Sequence, residues 1–385
     1  MALTERLRLS RMKWFVLFFS FVFSCQAADK ITVQRDGDTQ RWKLTVTGSL
    51  PAQPITRIAA FGNVTIRGKR TREIRYSVSQ EVAASSEQQV RQLAEFYRAQ
   101  TRDGQLVFFQ PGAVSIEMPR NTALLTISSN AGTIDVADIE GSLRADANAG
   151  RIVLDRIGGN VEIHSNGGAA SLGTIGGVVR CYSGGGSIRA VRINGGAYFE
   201  TDGGDIQLGQ VLGAVTALTA AGGIRIDQAG AGVFADTLGG PISVLRALGM
   251  VVANSAGGPI DIGDATSVQC QNGGGTIRLN NVSGTLRAAT DHGSIIAAIL
   301  AGRPLEDSFL STGSGDITVF IPSNMGVTVD AEANGALGSR PIVSDFSGLR
   351  VSARRLSVAA SGKINGGGPL LRLTVTGGRI EIKRR

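Results

Sequence analysis

Apolar and polar positions alternate in a nine-residue repeat from Gly132 to Gly302. Nearly every unit begins with glycine, its third position is apolar throughout, its fifth is mostly apolar, and its fourth is mostly polar or charged. Such alternation over five residues predicts one half-buried β-strand per unit. Glycine, asparagine and aspartate at the junctions predict tight turns between the strands, because these residues tolerate the backbone angles that corners need.

A second period of eighteen residues overlies the first. Odd units carry isoleucine or valine in the eighth position, as at Ile139 and Ile157, whereas even units carry turn residues there, as at Asn148 and Asn166. One coil therefore contains two different strands and two different corners. Because a coil can bury its apolar face only by stacking on its neighbours, we predict an all-β, parallel β-helix (β-solenoid) with 18-residue coils. A right-handed course is expected from the general preference of parallel crossover connections.

Two other solenoid types fit the pattern less well. In a left-handed hexapeptide helix the apolar residue recurs every six residues, whereas glycine recurs here every nine. A calcium-binding nonapeptide roll requires aspartate at the sixth position of successive units. That position holds Ala137, Asp146, Asp155 and His164 in the first four units, so the sequence does not predict stacked calcium ions.

Residues 1–27 have the pattern of a secretory signal peptide. Basic residues precede the apolar stretch Trp14–Phe23, which is too short to span a bilayer. Two forms of processing remain open, namely cleavage before Ala28 to give a soluble product, or lipid attachment at Cys25 within a loose lipobox. In either case we expect an exported protein that is periplasmic, outer-membrane-associated or extracellular. Only the form with a lipid on Cys25 would be attached to a membrane.

The remaining chain divides into three regions by regularity. Residues 28–130 are β-rich with one helix near 86–99, residues 131–302 form the regular solenoid, and residues 303–385 read as less regular coils with a basic tail. We interpret the helix as a cover for the open end of the solenoid, where a bare coil would expose sheet edges. A helix that binds a partner is the alternative. The segment 361–385 is expected to form the last coil.

Charge and cysteine content narrow the function classes. The chain has 39 Lys and Arg against 31 Asp and Glu, a formal net charge of +8. This excess provides solubility or attracts anionic envelope polymers, but no aromatic and basic platform predicts a nucleic-acid site. Cys181 and Cys270 both fall on inward fifth positions several coils apart, too far for a disulfide, so we predict two core thiols.

The sequence predicts no catalytic residues, metal site or cofactor, because it has two histidines, no Cys/His ligand spacing and no phosphate-binding loop. Stacking nevertheless creates ladders on the outward face of the even strands. Their fourth positions hold Arg144, Glu162, Arg180 and Tyr198, and their sixth positions hold Asp146, His164, Tyr182 and Glu200. These side chains would bind or cleave a glycan, or form a solvated face with cross-coil ion pairs of little energetic value.

An apolar patch is predicted farther along the same face. Leu218, Phe234 and Val252 point outward there, and clustered exposed apolar residues mark contact sites. The contact would be a partner or the C-terminal segment folding back. No inserted loop interrupts residues 132–302 to wall a cleft, which weighs against catalysis.

Several stretches resemble a known family. The segments FGNVTIRG (61–68), GDITVFIPSNMGVTVDAEANG (315–335) and GGGPLLRLTVTGGRIEI (366–382) resemble bacterial exported β-solenoids described as adhesin-like domains of unknown function. The resemblance implies a right-handed parallel β-helix in the cell envelope and carries no catalytic residues. We therefore expect a non-enzymatic adhesin-like binding or structural surface with an envelope protein or polysaccharide as partner. A glycan-active enzyme on the even-strand face and a lipoprotein assembly or sensing module are the alternatives.

Overall fold

The computed structural model describes residues 29–37, 39–102, 104–335 and 341–385. The predicted signal peptide and Cys25 lie outside these ranges. Within them, no helix combines the length and the apolar composition needed to cross a membrane.

The described chain consists almost entirely of short strands. The N-terminal elements are β1 (Lys30–Arg35), β2 (Arg41–Pro51), β3 (Ile55–Ala60), β4 (Val64–Lys69), β5 (Glu73–Ala83), α1 (Glu87–Leu93) with a 3₁₀ turn (Ala94–Tyr97), β6 (Gln100–Arg102), β7 (Gln105–Phe108) and β8 (Ala113–Pro119). The central strands are β9 (Leu124–Ser129), β10 (Ile134–Ile139), β11 (Ser142–Ala147), β12 (Ile152–Ile157), β13 (Val161–Ser165), β14 (Ala170–Ile175), β15 (Val179–Ser183), β16 (Ile188–Ile193), β17 (Ala197–Thr201), β18 (Ile206–Val211), β19 (Val215–Thr219), β20 (Ile224–Ala229), β21 (Val233–Thr237), β22 (Ile242–Ala247), β23 (Met250–Ser255), β24 (Ile260–Asp264), β25 (Ser267–Asn272), β26 (Ile277–Val282), β27 (Leu286–His292) and β28 (Ile295–Ile299). The C-terminal strands are β29 (Ser308–Ser314), β30 (Ile317–Ile321), β31 (Val327–Asn334), β32 (Ile342–Ser344), β33 (Leu349–Ala353), β34 (Ser357–Ile364), β35 (Leu370–Thr376) and β36 (Ile380–Arg384).

Each 18-residue coil contributes one strand to each of two parallel sheets. The even-numbered strands β10 to β30 form sheet A, and the odd-numbered strands β9 to β29 form sheet B. The register follows the sequence repeat, since Ile134 pairs with Ile152 in sheet A and Leu143 pairs with Val161 in sheet B. The described residues are 63% strand and make about eleven turns, which confirms the predicted β-solenoid with two strands per coil.

The core lies between the two sheets and is built from the third and fifth positions. Ile134, Val136 and Leu154 are fully buried there, and burial of such a side chain contributes about 1.5–3 kcal/mol. Cys181 and Cys270 lie in this core as free thiols, as predicted. Burial raises the pKa of each thiol to about 12.

A ladder of buried polar side chains links adjacent coils at one corner of the solenoid. The sequence pattern did not predict it. It occupies the seventh position of the even units. Thr219, for example, donates its hydroxyl to the Gly204 carbonyl at 3.0 Å and accepts from the Gly222 amide at 3.2 Å. The same donation to a glycine carbonyl fifteen residues earlier recurs at Thr201, Thr237, Ser255 and Thr290. These bonds satisfy backbone groups that the sharp turn leaves without a strand partner.

The coils at the N-terminal end do not follow chain order. The coil β3–β4 lies between the coil β7–β8 and the coil β9–β10, so Val64 pairs with both Val114 and Ile134. The coil β3–β4 spans residues 55–69. Its neighbours on both sides come from later in the sequence.

The helix covers the N-terminal end, as expected. Beyond the N-terminal coil β7–β8, sheet A continues with the antiparallel strands β5, β2 and β1. Val90 and Ala94 of the helical segment pack on Leu44 and Val46 of β2 in a small separate core. Ser86 caps the helix by accepting from the Gln89 amide at 3.3 Å.

A second departure from chain order occurs at the C-terminal end. The coil β35–β36 lies between β29–β30 and β31–β32. The tail is therefore not the last coil, and that expectation was wrong. The last coil is β31–β32, because β31 pairs on its outer side with antiparallel β34 and leaves its inner side to β35.

Candidate functional site

The structure places the predicted ladder residues on the outward face of four adjacent strands of sheet B, namely β11, β13, β15 and β17. Their in-register ladders are Arg144, Glu162, Arg180 and Tyr198 at the fourth position and Asp146, His164, Tyr182 and Glu200 at the sixth. All eight side chains thus share one surface, as the period of eighteen requires.

Charged side chains on β11 and β13 contact one another across this surface. Arg144 lies 3.1 Å from Asp146 and 3.2 Å from Glu162. Glu162 also contacts His164 Nε2 at 3.0 Å, and this hydrogen bond, followed by the charge of Arg144, holds the pKa of Glu162 below its ordinary value. The expected ladder Arg144–Glu162–Arg180 is only half formed. Among the described residues Arg180 forms no ion pair, because the second oxygen of Glu162 faces His164.

Aromatic contacts continue the surface over the next coils. The rings of His164 and Tyr182 stack with centroids 5.1 Å apart and planes 7° from parallel, and Tyr182 lies 5.4 Å from Tyr198. The Tyr198 hydroxyl donates to Glu200 at 2.6 Å, which raises the pKa of Tyr198 to about 12. A strip of aromatic rings is thus bordered by carboxylates on both sides.

A groove, which we call the corner groove, runs where the strands of sheet B end. Side chains at the sixth position form one wall, side chains at the eighth position form the other, and the buried seventh-position ladder forms the floor. A stretch of about 260 Å³ near β3 to β13 is lined by Phe61, Ser128, Asn130, Asp146, Asn148, His164 and Asn166, among others. A stretch of about 400 Å³ near β21 to β27 is lined by Asp236, Leu238, Asn254, Gln271 and Asp291, among others.

The same two positions continue between these stretches. They hold Tyr182 and Gly184, Glu200 and Asp202, and Leu218 and Ala220. At about 4.8 Å per coil, these two rows of side chains extend over roughly 48 Å from β3 to β27. The two stretches of the corner groove therefore lie on one pair of rows that follows the solenoid axis.

The walls of the corner groove are acidic in a basic protein. Neither wall position carries lysine or arginine from β3 to β27, whereas the carboxylates are Asp146, Glu200, Asp202, Asp236 and Asp291. Amide side chains stiffen one wall, since Asn148 donates to Asn130 at 2.9 Å and Asn166 donates to Asn148 at 2.8 Å. The exposed ring of Phe61 closes that end.

Sequence reasoning identified one wall of this groove and missed the other. The repeat pattern predicts Asn148 and Asn166 only as turn residues. The available signal was their recurrence at an interval of eighteen, which places them in one row beside Asp146 and His164.

The apolar patch is exposed. Phe234 is 39% exposed and neighbours half-buried Val252, and Leu218 lies between Glu200 and Asp236. The C-terminal segment does not fold back onto the patch, because it forms the coil β35–β36. Contact with a partner at this patch stays a prediction.

Metal ligation has no candidate in the described ranges. There, no three His, Cys, Asp or Glu side chains are grouped closely enough to hold an ion.

Comparisons with known proteins add little. No protein-family model matches the sequence, and no curated protein matches it significantly. A solved structure described as a "putative cell adhesion protein" from Clostridium sporogenes aligns with 88% of this chain and 99% of its own, at 11% identity and a TM-score of 0.14. A similarity at this TM-score carries no argument. The β-solenoid rests on the strand pairing, and the adhesin-like family remains a resemblance.

Proposed function

We propose that this protein is a non-enzymatic, exported binding protein of the cell envelope whose corner groove holds a polysaccharide chain lengthwise. One observation carries the proposal. Carboxylates, amides and aromatic rings line the groove over many coils in register, without a lysine or arginine in either wall. This gives an adhesin-like surface a defined binding track.

The wall chemistry matches an uncharged or amino-sugar polymer. Sugar hydroxyls both donate and accept hydrogen bonds, carboxylates accept them, and amides do both. The aromatic rings at Phe61, His164 and Tyr182 add apolar surface. Carboxylates such as Asp202 and Asp236 repel an anionic polymer. The groove's length favours a polymer over a compact metabolite, which would be enclosed in a deeper cavity.

Binding without turnover is favoured by the state of the carboxylates. Glycoside hydrolysis needs one carboxylic acid with a raised pKa beside an ionised partner. Glu162 instead has a lowered pKa, and Glu200 accepts a hydrogen bond from Tyr198. Neither arrangement prepares a general acid, so the glycan-active enzyme is the weaker alternative.

Affinity electrophoresis tests the proposal directly. Native gels that contain a neutral β-glucan, chitosan or a polyuronate are run with the protein and with Asn148→Arg, which places a bulky cation in the wall. The matched control is Thr174→Arg on the outward face of sheet A, where Thr174 is exposed. We expect retardation by a neutral or amino-sugar polymer, lost in Asn148→Arg and kept in Thr174→Arg. Retardation by the polyuronate alone, or equal loss in both variants, contradicts the proposal, and release of reducing ends would favour the enzyme.

The intact mass of the mature chain tests the lipoprotein alternative. A soluble chain that starts near Ala28 supports a free exported binding protein. A diacylated or triacylated Cys25 in the membrane fraction would instead support a lipid-anchored assembly or sensing module.

A further inference from the structure

The C-terminal end of sheet B projects past sheet A. Beyond the last coil, β34 pairs with β31 and β33 pairs with β34, both antiparallel, whereas sheet A stops at the three-residue strand β32. Within the described ranges β33 pairs only with β34. Its outer edge therefore offers unpaired backbone N–H and C=O groups.

The inward face of this projection is apolar, buried near the core and exposed at its outer end. The register aligns Val351 with Ala360 and Ala360 with Ala331, so all three face the side of the core. Ala360 is 1% exposed, whereas Val351 is 62% exposed and Leu356 at the hairpin turn is 75% exposed.

The two ends of the solenoid differ in this respect. At the N-terminal end, the projection of sheet A is covered by Val90 and Ala94 of the helical segment. No described element covers Val351 in the same way. The contrast indicates that the C-terminal end leaves space for an added strand.

The charges beside the free edge of β33 favour an acidic partner strand. Arg350, Arg354 and Arg355 are exposed, and none of them has an ion-pair partner within 4.0 Å among the described residues. Three uncompensated cations within six residues attract an acidic segment. A second copy of this edge would bring like charges together, and the N-terminal edge strand β1 carries Lys30 and Arg35 without an acidic residue.

We propose that β33 is a docking edge for an extended acidic strand of a partner protein. The strand pairs with the free backbone of β33, places alternate apolar side chains on Val351 and Leu356, and places its carboxylates beside Arg350, Arg354 and Arg355. Main-chain pairing supplies the affinity and alternate side chains supply the specificity, as in other cases of strand addition. This surface is separate from the corner groove, so either proposal can fail without the other.

Fluorescence anisotropy with defined peptides tests the docking edge. The probes are end-blocked peptides of equal length in which valine alternates with glutamate or with lysine. We expect the full-length protein to bind the glutamate peptide at least tenfold more tightly than the lysine peptide, and added salt to weaken that binding. Val351→Asp should weaken it tenfold or more, and the triple variant R350E/R354E/R355E should reverse the peptide preference. Arg189→Glu, at an exposed position on sheet A, is the matched control and should bind as the parent does.

Three results would overturn the proposal. Equal binding of both peptides, or binding of neither, rules out docking of a strand that is selected by its negative charge. If the protein self-associates in sedimentation and Val351→Asp abolishes this, the strand that docks on β33 comes from a second copy of the chain. Protection of the Val351 and Ala353 amides from hydrogen exchange in the free protein means that the chain itself covers the edge, because these two N–H groups point away from β34.

Discussion

The hydroxyl of Thr237 donates to the carbonyl oxygen of Gly222, one coil earlier, at 3.0 Å. The same hydroxyl accepts from the Gly240 amide at 3.2 Å. Thr237 is 1% exposed, so neither backbone group has ready access to water. One side chain thus satisfies two corner groups on adjacent coils.

Replacement of this hydroxyl by a methyl group tests the ladder. We expect Thr237→Val to destabilise the protein by about 1–3 kcal/mol, because it leaves two buried backbone groups unsatisfied. Thr237→Ser should cost much less, since Ser255 makes the same two bonds one coil later. Urea unfolding followed by circular dichroism measures both, and equal midpoints for the two variants would contradict the role of the ladder.

Two adjacent glycines at this corner should respond differently to alanine. A Cβ at Gly240 would overlap the Gly222 carbonyl oxygen, whereas a Cβ at Gly239 meets nothing within 4 Å. We therefore expect Gly240→Ala to unfold at clearly lower temperature than the parent. Gly239→Ala should be neutral or slightly stabilising, because it restricts the unfolded chain without a clash. Calorimetry measures both variants, and equal melting temperatures would contradict a role for the close approach at Gly240.

Acid should remove the contribution of ionised Glu162 to the stability of the fold. Its pKa is lowered from 4.5, mainly by the hydrogen bond with His164 and further by Arg144. A carboxyl with a depressed folded pKa adds stability above its unfolded pKa, and that stability is lost as pH falls through the folded value. We expect Glu162→Gln to lower the melting temperature slightly at pH 7, since exposed pairs contribute at most about 1 kcal/mol. The difference should vanish at the acid end of a titration to pH about 2, and a constant difference would contradict it.

The core thiols should be inert in the folded protein. Burial raises the pKa of Cys181 and Cys270 to about 12, so thiolate is scarce and reagents have no access. Iodoacetamide at pH 8 should leave both unmodified by mass spectrometry, and 6 M guanidinium should make both reactive. Rapid labelling of Cys181 alone would indicate local opening of its coil.

Removal of the C-terminal segment should damage the interior of the rod. Truncation after Gly368 deletes β35 and β36, including buried Leu373 and Ile382. We expect β31 to β34 to lose their attachment and become sensitive to protease. Truncation after Lys383 is the control and should remain resistant. Equal resistance of both chains would show that β31–β32 docks directly on β29–β30.

The sequence predicted the regular solenoid because each coil repeats the same local rule. Glycine at the corner and apolar residues at the third and fifth positions determine the strand, its face and its register, as the pairing of Ile134 with Ile152 shows. The core position of Cys181 follows from the same rule. No long-range information is needed where neighbours in space are eighteen residues apart.

The order of coils at the ends was not predictable in this way. Val64 pairs with Val114 and Ile134, and nothing local distinguishes this arrangement from stacking in chain order. The candidate site was found in part for a related reason. The row of Asp146 and His164 follows from strand alternation, whereas the row of Asn148 and Asn166 lies just past the strand, where the corner geometry determines the direction of a side chain.

The interleaved ends give the rod a topological lock. The C-terminal strands β35 and β36 are held on both sides, by β29–β30 and by β31–β32, and β3–β4 is held likewise by β7–β8 and β9–β10. A simple stack of coils would fray from its termini one turn at a time. The coil β35–β36 can leave only if β31–β32 opens first, and β3–β4 only if β7–β8 opens first, so these coils resist unravelling from the ends, where linear repeat proteins are weakest.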